Sequence, residues 1–195
     1  GGIGVRHGWK QLAGPFKVTE SERNVIQSIN WEPAFDVYRR VVEEDCGQRF
    51  AEGNFFQIAK GYPFGIARLD SEYVVRDPLS RTPAGALACV GEVPPDSVVY
   101  ILRGDQQSLV NAAQQARSDA EAALPVRPNQ RRTSLFIDCI SRVLFMGDDF
   151  QQELDAVYRD GEPLIGALTI GEIANAGGEF LEFYNKTAVV AVIGS

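Results

Sequence analysis

The sequence predicts an α+β fold, in which helices pack on a mainly antiparallel, mixed sheet. Short apolar runs bounded by Gly, Pro, Asn or Asp recur along the 195 residues and are typical of strands. Three longer segments carry apolar residues at the spacing of one helix face. The predicted order is strands, a helix, four strands, a helix, a strand, a helix and three strands, and this grouping favours the α+β class.

The start of the chain is predicted to form strands and then a helix. Strands are expected at residues 4–9, 16–19 and 24–29, and the last of these alternates between apolar and polar residues. A helix is expected from Pro33 to Gly47, because Pro is well tolerated in the first turn and the apolar residues that follow fall on one face.

The middle of the chain is predicted to form an antiparallel meander. Residues 50–61 are mixed in character and are expected to form a short helix or a packed loop. Strands are expected at residues 65–69, 72–76, 85–91 and 97–102, with Pro, Gly and Asp in the turns between them. Four short strands at nearly regular spacing are typical of a meander.

From Asp105 onward the sequence predicts a helix, a strand and a second helix. Asp105 can cap a helix that extends to Leu124, where Pro125 ends it. A largely buried strand is expected at residues 134–140. A further helix, at residues 148–159, has its apolar residues on the inner face.

The last segment, residues 161–195, places three apolar strands between tight turns rich in Gly and Asn. It predicts the end of a buried sheet with Glu172 at the rim. Glu172 has two interpretations, of which the first is a solvated turn residue or a carboxylate bonded to the backbone. The second is a fixed anion that binds the amine or guanidinium of a ligand, because burial strengthens such a contact.

Composition excludes several classes of partner. The net charge of -7 argues against nucleic acid, whose binding depends on clustered Lys and Arg. The longest apolar run, residues 187–194, is much shorter than the roughly 20 residues that span a bilayer, so no membrane insertion is expected. Three cysteines without CxxC spacing favour a reducing, cytoplasmic setting. The chain does not begin with Met, as expected of a piece of a longer protein.

Two residues are candidates for chemistry. His7 is either a hydrogen-bonded strand residue or an axial haem ligand or proton carrier. Cys139 is either an inert buried thiol, which is the commoner case, or a nucleophile that would form a site with His7 and Glu172. Because the common enzyme signatures are absent from the sequence, we expect a protein that is not an enzyme.

Other polar residues at strand ends are candidates for ligand binding. Arg76 can clamp a carboxylate with two hydrogen bonds, or it can brace a turn together with Asp77. Asn185 and Thr187 are hairpin residues that also offer neutral donors and acceptors beside a pocket.

Several short segments follow one another in a specific order, namely YPFGI at residues 62–66, EYVVRDP at 72–78, DCISR at 138–142, Gly166 with GEI at 171–173, and YNKT at 184–187. In this order they resemble the C-terminal domain of the FIST family. HGW at residues 7–9 with Val18-Thr19 is similar to the end of the family's N-terminal domain. The resemblance therefore predicts the tail of an upstream domain at residues 1–32 and a ligand-binding domain at residues 33–195.

The resemblance implies a non-catalytic sensory module that binds a small ligand such as an amino acid and acts through a signalling output domain or a partner protein. The residues expected to bind the ligand are Arg76, Cys139, Arg142, Glu172 and Asn185. The family also implies two alternatives, a haem-binding nitric oxide sensor with His7 as ligand and a protein-interaction module without a small ligand. Ser141 stands where the family tends to have Gly, and Tyr184 stands where the family often has His. Any binding role of that family His is therefore not assigned to Tyr184.

Overall fold

The computed structural model of the protein describes residues 1–68, 72–125, 130–175 and 181–195. It divides into two compact units. The terminal unit combines Gly1–Trp9 with Asp105–Ser195, and the middle unit is Lys10–Gly104. Each unit has a largely antiparallel sheet with helices, which confirms the predicted α+β class. The predicted boundary between an upstream domain at residues 1–32 and a ligand-binding domain at residues 33–195 stays a prediction.

The described residues form strands and helices in the following order. The strands are β1 (Gly2–Arg6), β2 (Lys10–Glu22), β3 (Val25–Ile29), β4 (Glu32–Pro33), β5 (Phe64–Ile66), β6 (Val74–Arg76), β7 (Pro78–Arg81), β8 (Leu87–Cys89), β9 (Val98–Arg103), β10 (Arg132–Cys139), β11 (Leu164–Thr169), β12 (Glu172–Ala174), β13 (Glu182–Tyr184) and β14 (Ala188–Gly194). The helices are α1 (Ala34–Cys46), α2 (Phe55–Ala59), α3 (Gln106–Ala122), α4 (Ile140–Met146) and α5 (Phe150–Val157), with a 3-10 turn (Gly147–Asp149) before α5.

The terminal unit is built on a four-stranded sheet in the order β1-β14-β10-β11. β14 is antiparallel to both of its neighbours, whereas β10 and β11 are parallel. Helix α3 packs on β1 and β14, and α5 packs on α3. The core between these layers contains Ala116, Ala120, Phe136, Val190 and Val192.

Helix α3 lies unusually close to strand β1, because small residues face each other. Ala116 and Ala120 are fully buried on the helix, and Gly4 and Gly2 lie opposite them on the strand. A Cβ atom at Gly4 would overlap the carbonyl oxygen of Ala116. The small side chains of the helix and the two glycines of the strand therefore act together to set the short distance between helix and sheet.

The predicted N-terminus of α3 is confirmed. The Asp105 side chain accepts a 2.7 Å hydrogen bond from the Ser108 backbone nitrogen, and the Ser108 hydroxyl lies 3.2 Å from the Asp105 nitrogen. This reciprocal capping box satisfies two backbone donors that a helix start leaves unpaired. The predicted α1 is also confirmed. It ends at Cys46 and is followed by Gly47, whose φ of 68° lies in the left-handed region that Gly tolerates best.

One prediction in the terminal unit is wrong. Ile140 was expected to continue the strand before it, but β10 ends at Cys139 and Ile140 begins α4. The apolar run continues across this boundary without Gly or Pro, so periodicity could not detect the change.

The last segment, residues 161–195, also forms four described strands where three were expected. Its Gly177-Gly178 loop lies outside the described residues.

The middle unit is not the predicted meander. Its strands follow the order β6-β5-β9-β2-β3-β8-β7, with β4 paired to β3. The short hairpins β5-β6 and β7-β8 are local, as expected, but β2 separates them by pairing with β9 on one side and β3 on the other. The spacing of apolar residues and turns along the chain does not indicate which strands pair when the partners are distant in sequence. Residues 50–61 contain the short helix α2, one of the two expected outcomes.

Within the part of the chain that the structure describes, no helix combines the length and the apolar composition that crossing a bilayer requires.

We predict that Gly4→Ala destabilises the protein by about 2 kcal/mol, because the added methyl group forces α3 away from β1. Urea unfolding followed by circular dichroism measures the change. Ile3→Ala is the matched control, because Ile3 is 54% exposed, and it should change the free energy of unfolding by less than about 1 kcal/mol. Equal stability of Gly4→Ala and the wild type would show that the helix and the strand are not closely packed.

Candidate functional site

A group of buried charged side chains lies at one end of the sheet in the terminal unit. Arg142 in the first turn of α4 is surrounded by the carboxyl groups of Asp138 at the end of β10, Glu153 on α5 and Glu172 at the start of β12. All four side chains are at most 2% exposed. We call these four residues the Arg142 cluster.

The Arg142 guanidinium donates hydrogen bonds to four other segments. Its Nε lies 2.9 Å from Glu153 Oε1, and its Nη1 lies 2.6 Å from the His7 carbonyl oxygen and 3.2 Å from that of Lys186. Nη2 contacts the Leu109 carbonyl oxygen at 3.0 Å and also Glu153 Oε1. A buried guanidinium is stable only when its donors are satisfied, and these contacts satisfy them with protein acceptors.

Two carboxyl groups face Arg142 directly. Asp138 Oδ1 forms a 3.1 Å ion pair with Arg142 Nε, and both of its carboxyl oxygens are buried. Burial raises the pKa of Asp138 well above its ordinary value; the Arg142 charge opposes this shift, and the charges of Glu153 and Glu172 add to it. Burial also raises the pKa of Glu153, against the opposing effect of Arg142.

Glu172 is not a solvated turn residue, since it is 2% exposed. The Thr169 hydroxyl donates a 2.9 Å hydrogen bond to Glu172 Oε1, whereas Oε2 has no hydrogen-bond partner within the described part of the chain. Burial raises the pKa of Glu172 to about 7, although bonds from Thr169 and Cys139 and the Arg142 charge favour ionisation. Glu172 therefore changes its charge near neutral pH.

Cys139 lies at the junction of β10 and α4 and is 1% exposed. Burial, together with the charge of Glu172, raises the pKa of its thiol to about 11. A thiol that stays protonated at neutral pH is a weak nucleophile, which favours the inert interpretation over catalysis.

Asn185 belongs to the turn between β13 and β14. Its Nδ2 donates a 3.3 Å hydrogen bond to the Ile170 carbonyl oxygen, and its Oδ1 is buried without a hydrogen-bond partner among the residues described. The Thr187 hydroxyl donates to the Asn185 carbonyl oxygen at 2.8 Å. The next residue in the turn, Lys186, is fully buried, and its ammonium lies 4.8 Å from the centre of the Trp9 ring.

The structure brings four of the five predicted binding residues into one region. Cys139, Arg142 and Glu172 interact electrostatically, and Asn185 precedes Lys186, whose carbonyl oxygen accepts from Arg142. Arg76 is in the middle unit. Its Nε donates to the Glu92 carbonyl oxygen at 2.8 Å and its Nη1 to the Val75 carbonyl oxygen at 3.0 Å, so it braces the local backbone.

His7 does not fit the haem ligand that the family resemblance implied as an alternative. The Trp9 backbone nitrogen donates a 2.9 Å hydrogen bond to His7 Nδ1, so in the neutral ring the hydrogen is on Nε2. Coordination of iron by Nε2 would require the opposite tautomer and would break this bond. Among the described residues, no three His, Cys, Asp or Glu side chains are grouped as metal ligands.

A pocket of about 360 Å³ adjoins the Arg142 cluster, and we call it the α5 pocket. It lies between α5 and the strands β10 and β11. Its lining is mostly apolar, and its charged member is Asp138. The apolar side chains of the lining are Phe136, Phe150, Leu154, Leu164 and Leu168.

Sequence reasoning missed Asp138 and Glu153 as members of the site, although both had a detectable signal. Glu153 falls on the apolar face of α5 with Phe150, Leu154 and Val157, at the i, i+3, i+4, i+7 spacing of a buried stripe. Asp138 follows Phe136 at the two-residue period that points side chains to the same face of a strand. A charged residue at a core position is itself an indication of a functional or structural polar site.

Comparison with known protein families gives a match over most of the chain. The sequence model of the family described as the FIST C domain matches residues 34–175. No curated protein and no solved structure matches the chain.

We predict that Glu172→Gln flattens the pH dependence of stability. In the folded protein the Glu172 pKa is about 7, against an ordinary value of 4.5, so the folded state keeps a proton that the unfolded state releases between these values. Stability of the wild type therefore falls as pH rises from 4.5 to 7, by on the order of 3 kcal/mol from this group, and is level above. In Glu172→Gln the side-chain oxygen can still accept the hydrogen bond from the Thr169 hydroxyl, but the side chain does not ionise, so this pH-dependent contribution is lost.

Chemical unfolding at several pH values between 4.5 and 8 measures this difference. Glu44→Gln is the matched control, because Glu44 is exposed, and it should follow the wild-type profile. A Glu172→Gln profile that has the same slope as that of Glu44→Gln would show that Glu172 is ionised throughout.

Proposed function

The chain belongs to the FIST C domain family, a family of sensory domains, and from this premise we propose that it binds a small ligand without catalysing a reaction. We place the ligand in the α5 pocket. The proposed output is a signalling domain or a partner protein in the cytoplasm. The observation that carries the proposal is the position of this pocket, which shares Asp138 with the Arg142 cluster.

The size and lining of the α5 pocket suit a small organic ligand. Its volume of about 360 Å³ lies within the usual range for ligand sites, about 300 to 1,000 Å³. Such sites are mostly apolar, with a few polar groups that fix the orientation of the ligand. Five Phe and Leu residues and one charged residue, Asp138, make a lining of this mostly apolar kind.

The Arg142 cluster offers a physical route from the pocket to distant segments. Helix α5 contributes Phe150 and Leu154 to the pocket and Glu153 to the cluster. A ligand that shifts α5 would change the contact between Glu153 and Arg142. Arg142 in turn holds the backbone at His7, before the middle unit begins in sequence. Binding transmits a signal only if the ligand has different affinities for two such arrangements.

The predicted binding residues have different roles in this proposal. Arg142 positions the backbone, because its donors are used by protein acceptors. Asn185 Oδ1 is buried without a hydrogen bond among the described residues, so we assign it to a polar group that enters the cluster, with Glu172 beside it. Cys139 packs beside them as a protonated thiol, which supports a role without catalysis. Arg76 is left out, since it bonds within the middle unit.

The two alternatives differ in their support. The haem sensor is disfavoured, because the hydrogen bond from Trp9 to His7 fixes the wrong tautomer for iron. The protein-interaction module has one observation in its favour, a group of exposed apolar side chains on and beside the β12-β13 hairpin. Ile170, Ile173 and Leu181 are each at least 70% exposed. A partner that contacts this hairpin is compatible with a ligand in the α5 pocket.

We predict that Leu168→Trp abolishes ligand binding by filling the α5 pocket, while the fold persists because Leu168 is 49% exposed. A panel of amino acids and small amines is screened at millimolar concentration by thermal unfolding, and every hit is measured by calorimetry. At least one compound should raise the Tm of the wild type and have no effect on the variant.

Ile165→Trp is the matched control for this experiment. Ile165 lies on the same strand, 63% exposed, and its odd position places it on the opposite face from Leu168. It should bind as the wild type does. The proposal fails if no compound binds, or if Leu168→Trp keeps the wild-type affinity.

A further inference from the structure

We propose that the terminal unit binds an extended basic peptide, which adds as a strand to the open edge of β11. One apolar side chain of the peptide enters the α5 pocket, and an Arg or Lys side chain enters a second pocket beside Asp155. The inference goes beyond the proposed function, because it concerns a segment of a partner protein that shares the α5 pocket with the small ligand. Three features lead to it: an unprotected sheet edge, two adjoining pockets, and an acid without a cation.

Strand β11 is the edge of the four-stranded sheet. It pairs with β10 on one side, and among the described residues no strand pairs with its other side. Residues 165–168 are all exposed, and the strand has no charged residue. Natural proteins usually protect an edge strand with Lys or Pro, because its free N–H and C=O groups accept another strand. β11 itself carries neither residue, so its edge is open to an added strand.

Two pockets lie side by side along β11 and helix α5. The first is the α5 pocket. The second, which we call the Asp155 pocket, has a volume of about 560 Å³ and lies between the C-terminal half of α5 and the start of β11. Leu154 and Leu164 line both pockets, so the two form one groove beside the open edge.

The groove and the edge together fit an extended peptide. In strand addition, backbone hydrogen bonds supply affinity, and pockets that accept alternate side chains supply specificity. Side chains on one face of a strand recur every two residues, at roughly 7 Å. One side chain of an added strand can therefore enter the α5 pocket while a neighbour on the same face reaches the Asp155 pocket.

The linings of the two pockets select different side chains. The α5 pocket is mostly apolar and suits Phe or Leu, which gain free energy by leaving water. In the second pocket the exposed Asp155 carboxylate accepts a 2.8 Å hydrogen bond from Gln151 and forms no ion pair with a described cation. The other acid there, Glu162, is already paired with Arg117. A peptide Arg would pair with Asp155 and stack on Tyr158, which is 48% exposed.

A second copy of this chain is the competing occupant of the edge, since two β11 strands could pair about a twofold axis. Charge favours the basic peptide instead. The net charge of -7 makes two copies repel each other. In addition, β11 has the sequence LIGALT, so a second β11 brings no basic side chain to Asp155. A basic peptide is attracted to the chain and supplies the missing cation.

The experiment uses the whole chain and the probe peptide acetyl-Arg-Thr-Phe-Thr-Arg-amide, whose affinity is measured by calorimetry at pH 7. The sequence reads the same in both directions, so one Arg lies two residues from the Phe toward the Asp155 pocket whether the strand adds parallel or antiparallel. Replacing Phe by Gly should weaken binding at least tenfold. Replacing both Arg by Glu should weaken it at least fivefold.

Two N-methylated peptides test strand addition itself. One is methylated at both Thr nitrogens and the other at the Phe and Arg nitrogens. Alternate amides of a strand point to opposite sides, so only one of the two sets can donate to β11. We expect one methylated peptide to bind at least tenfold more weakly and the other to keep the affinity of the probe. The probe should also slow hydrogen exchange of the amides in residues 164–168 at least tenfold.

Asp155→Asn keeps the shape of the side chain and removes its charge, and the fold should persist because Asp155 is exposed. It should remove most of the preference for the Arg peptide over the Glu peptide. Asp148→Asn is the matched control, because Asp148 is exposed before α5 and lines neither pocket, and it should keep the wild-type preference. Leu168→Trp, which fills the α5 pocket, should weaken the probe at least tenfold.

The outcomes separate this inference from the proposed function. If the probe does not bind but a compound of the amino-acid and amine panel does, the peptide inference is wrong and the proposed function stands. If both methylated peptides bind as the probe does, the pocket takes a side chain without strand addition, and the inference is wrong. It is also wrong if sedimentation shows a dimer whose β11 amides are protected from exchange without peptide, since a second copy then covers the edge.

Discussion

The buried Arg142 guanidinium is the interaction on which the Arg142 cluster depends. Moving a guanidinium out of water is favourable only if its charge is paired and its donors are bonded, and Arg142 meets both conditions with Glu153, Asp138 and three backbone carbonyl oxygens. Burial alone would lower the pKa of Arg142, but the carboxylates of Glu153 and Asp138 raise it, so the charge is kept. Segments distant in sequence are thereby held at one point.

The same constraint creates the properties that make the region a candidate sensor. The carboxyl groups that stabilise Arg142 outnumber it, and burial disfavours their ionised forms. Protons therefore remain in the cluster at pH values at which exposed carboxyl groups are ionised. Asp138 belongs both to the Arg142 cluster and to the lining of the α5 pocket, so under the proposed function the charge state of the cluster and the occupancy of the pocket would be linked. The proposed ligand would act on the fold through this linkage without any chemical step.

The sequence predicted local features well and long-range ones poorly. Helices α1 and α3 were found because Pro33, Gly47 and Asp105 mark their ends by local chemistry. Helix α4 was missed because the apolar run crosses from β10 into the helix without Gly or Pro, so periodicity could not detect the boundary. The strand order of the middle unit was wrong for a related reason, since β2 pairs with strands far along the chain. Of the candidate site, Cys139, Arg142, Glu172 and Asn185 were singled out from the sequence, whereas the buried acids Asp138 and Glu153 were not.

The most direct test of this account is a carbon-13 NMR titration of the Asp and Glu carboxyl groups between pH 4 and 9, with Asp138, Glu153 and Glu172 assigned by substitution. The account predicts that Glu172 titrates with a midpoint near 7 and that Asp138 stays protonated well above the pH at which an exposed aspartate ionises. If all three carboxyl groups are fully ionised below pH 5, the cluster holds no exchangeable proton, and the link between its charge and the pocket is wrong.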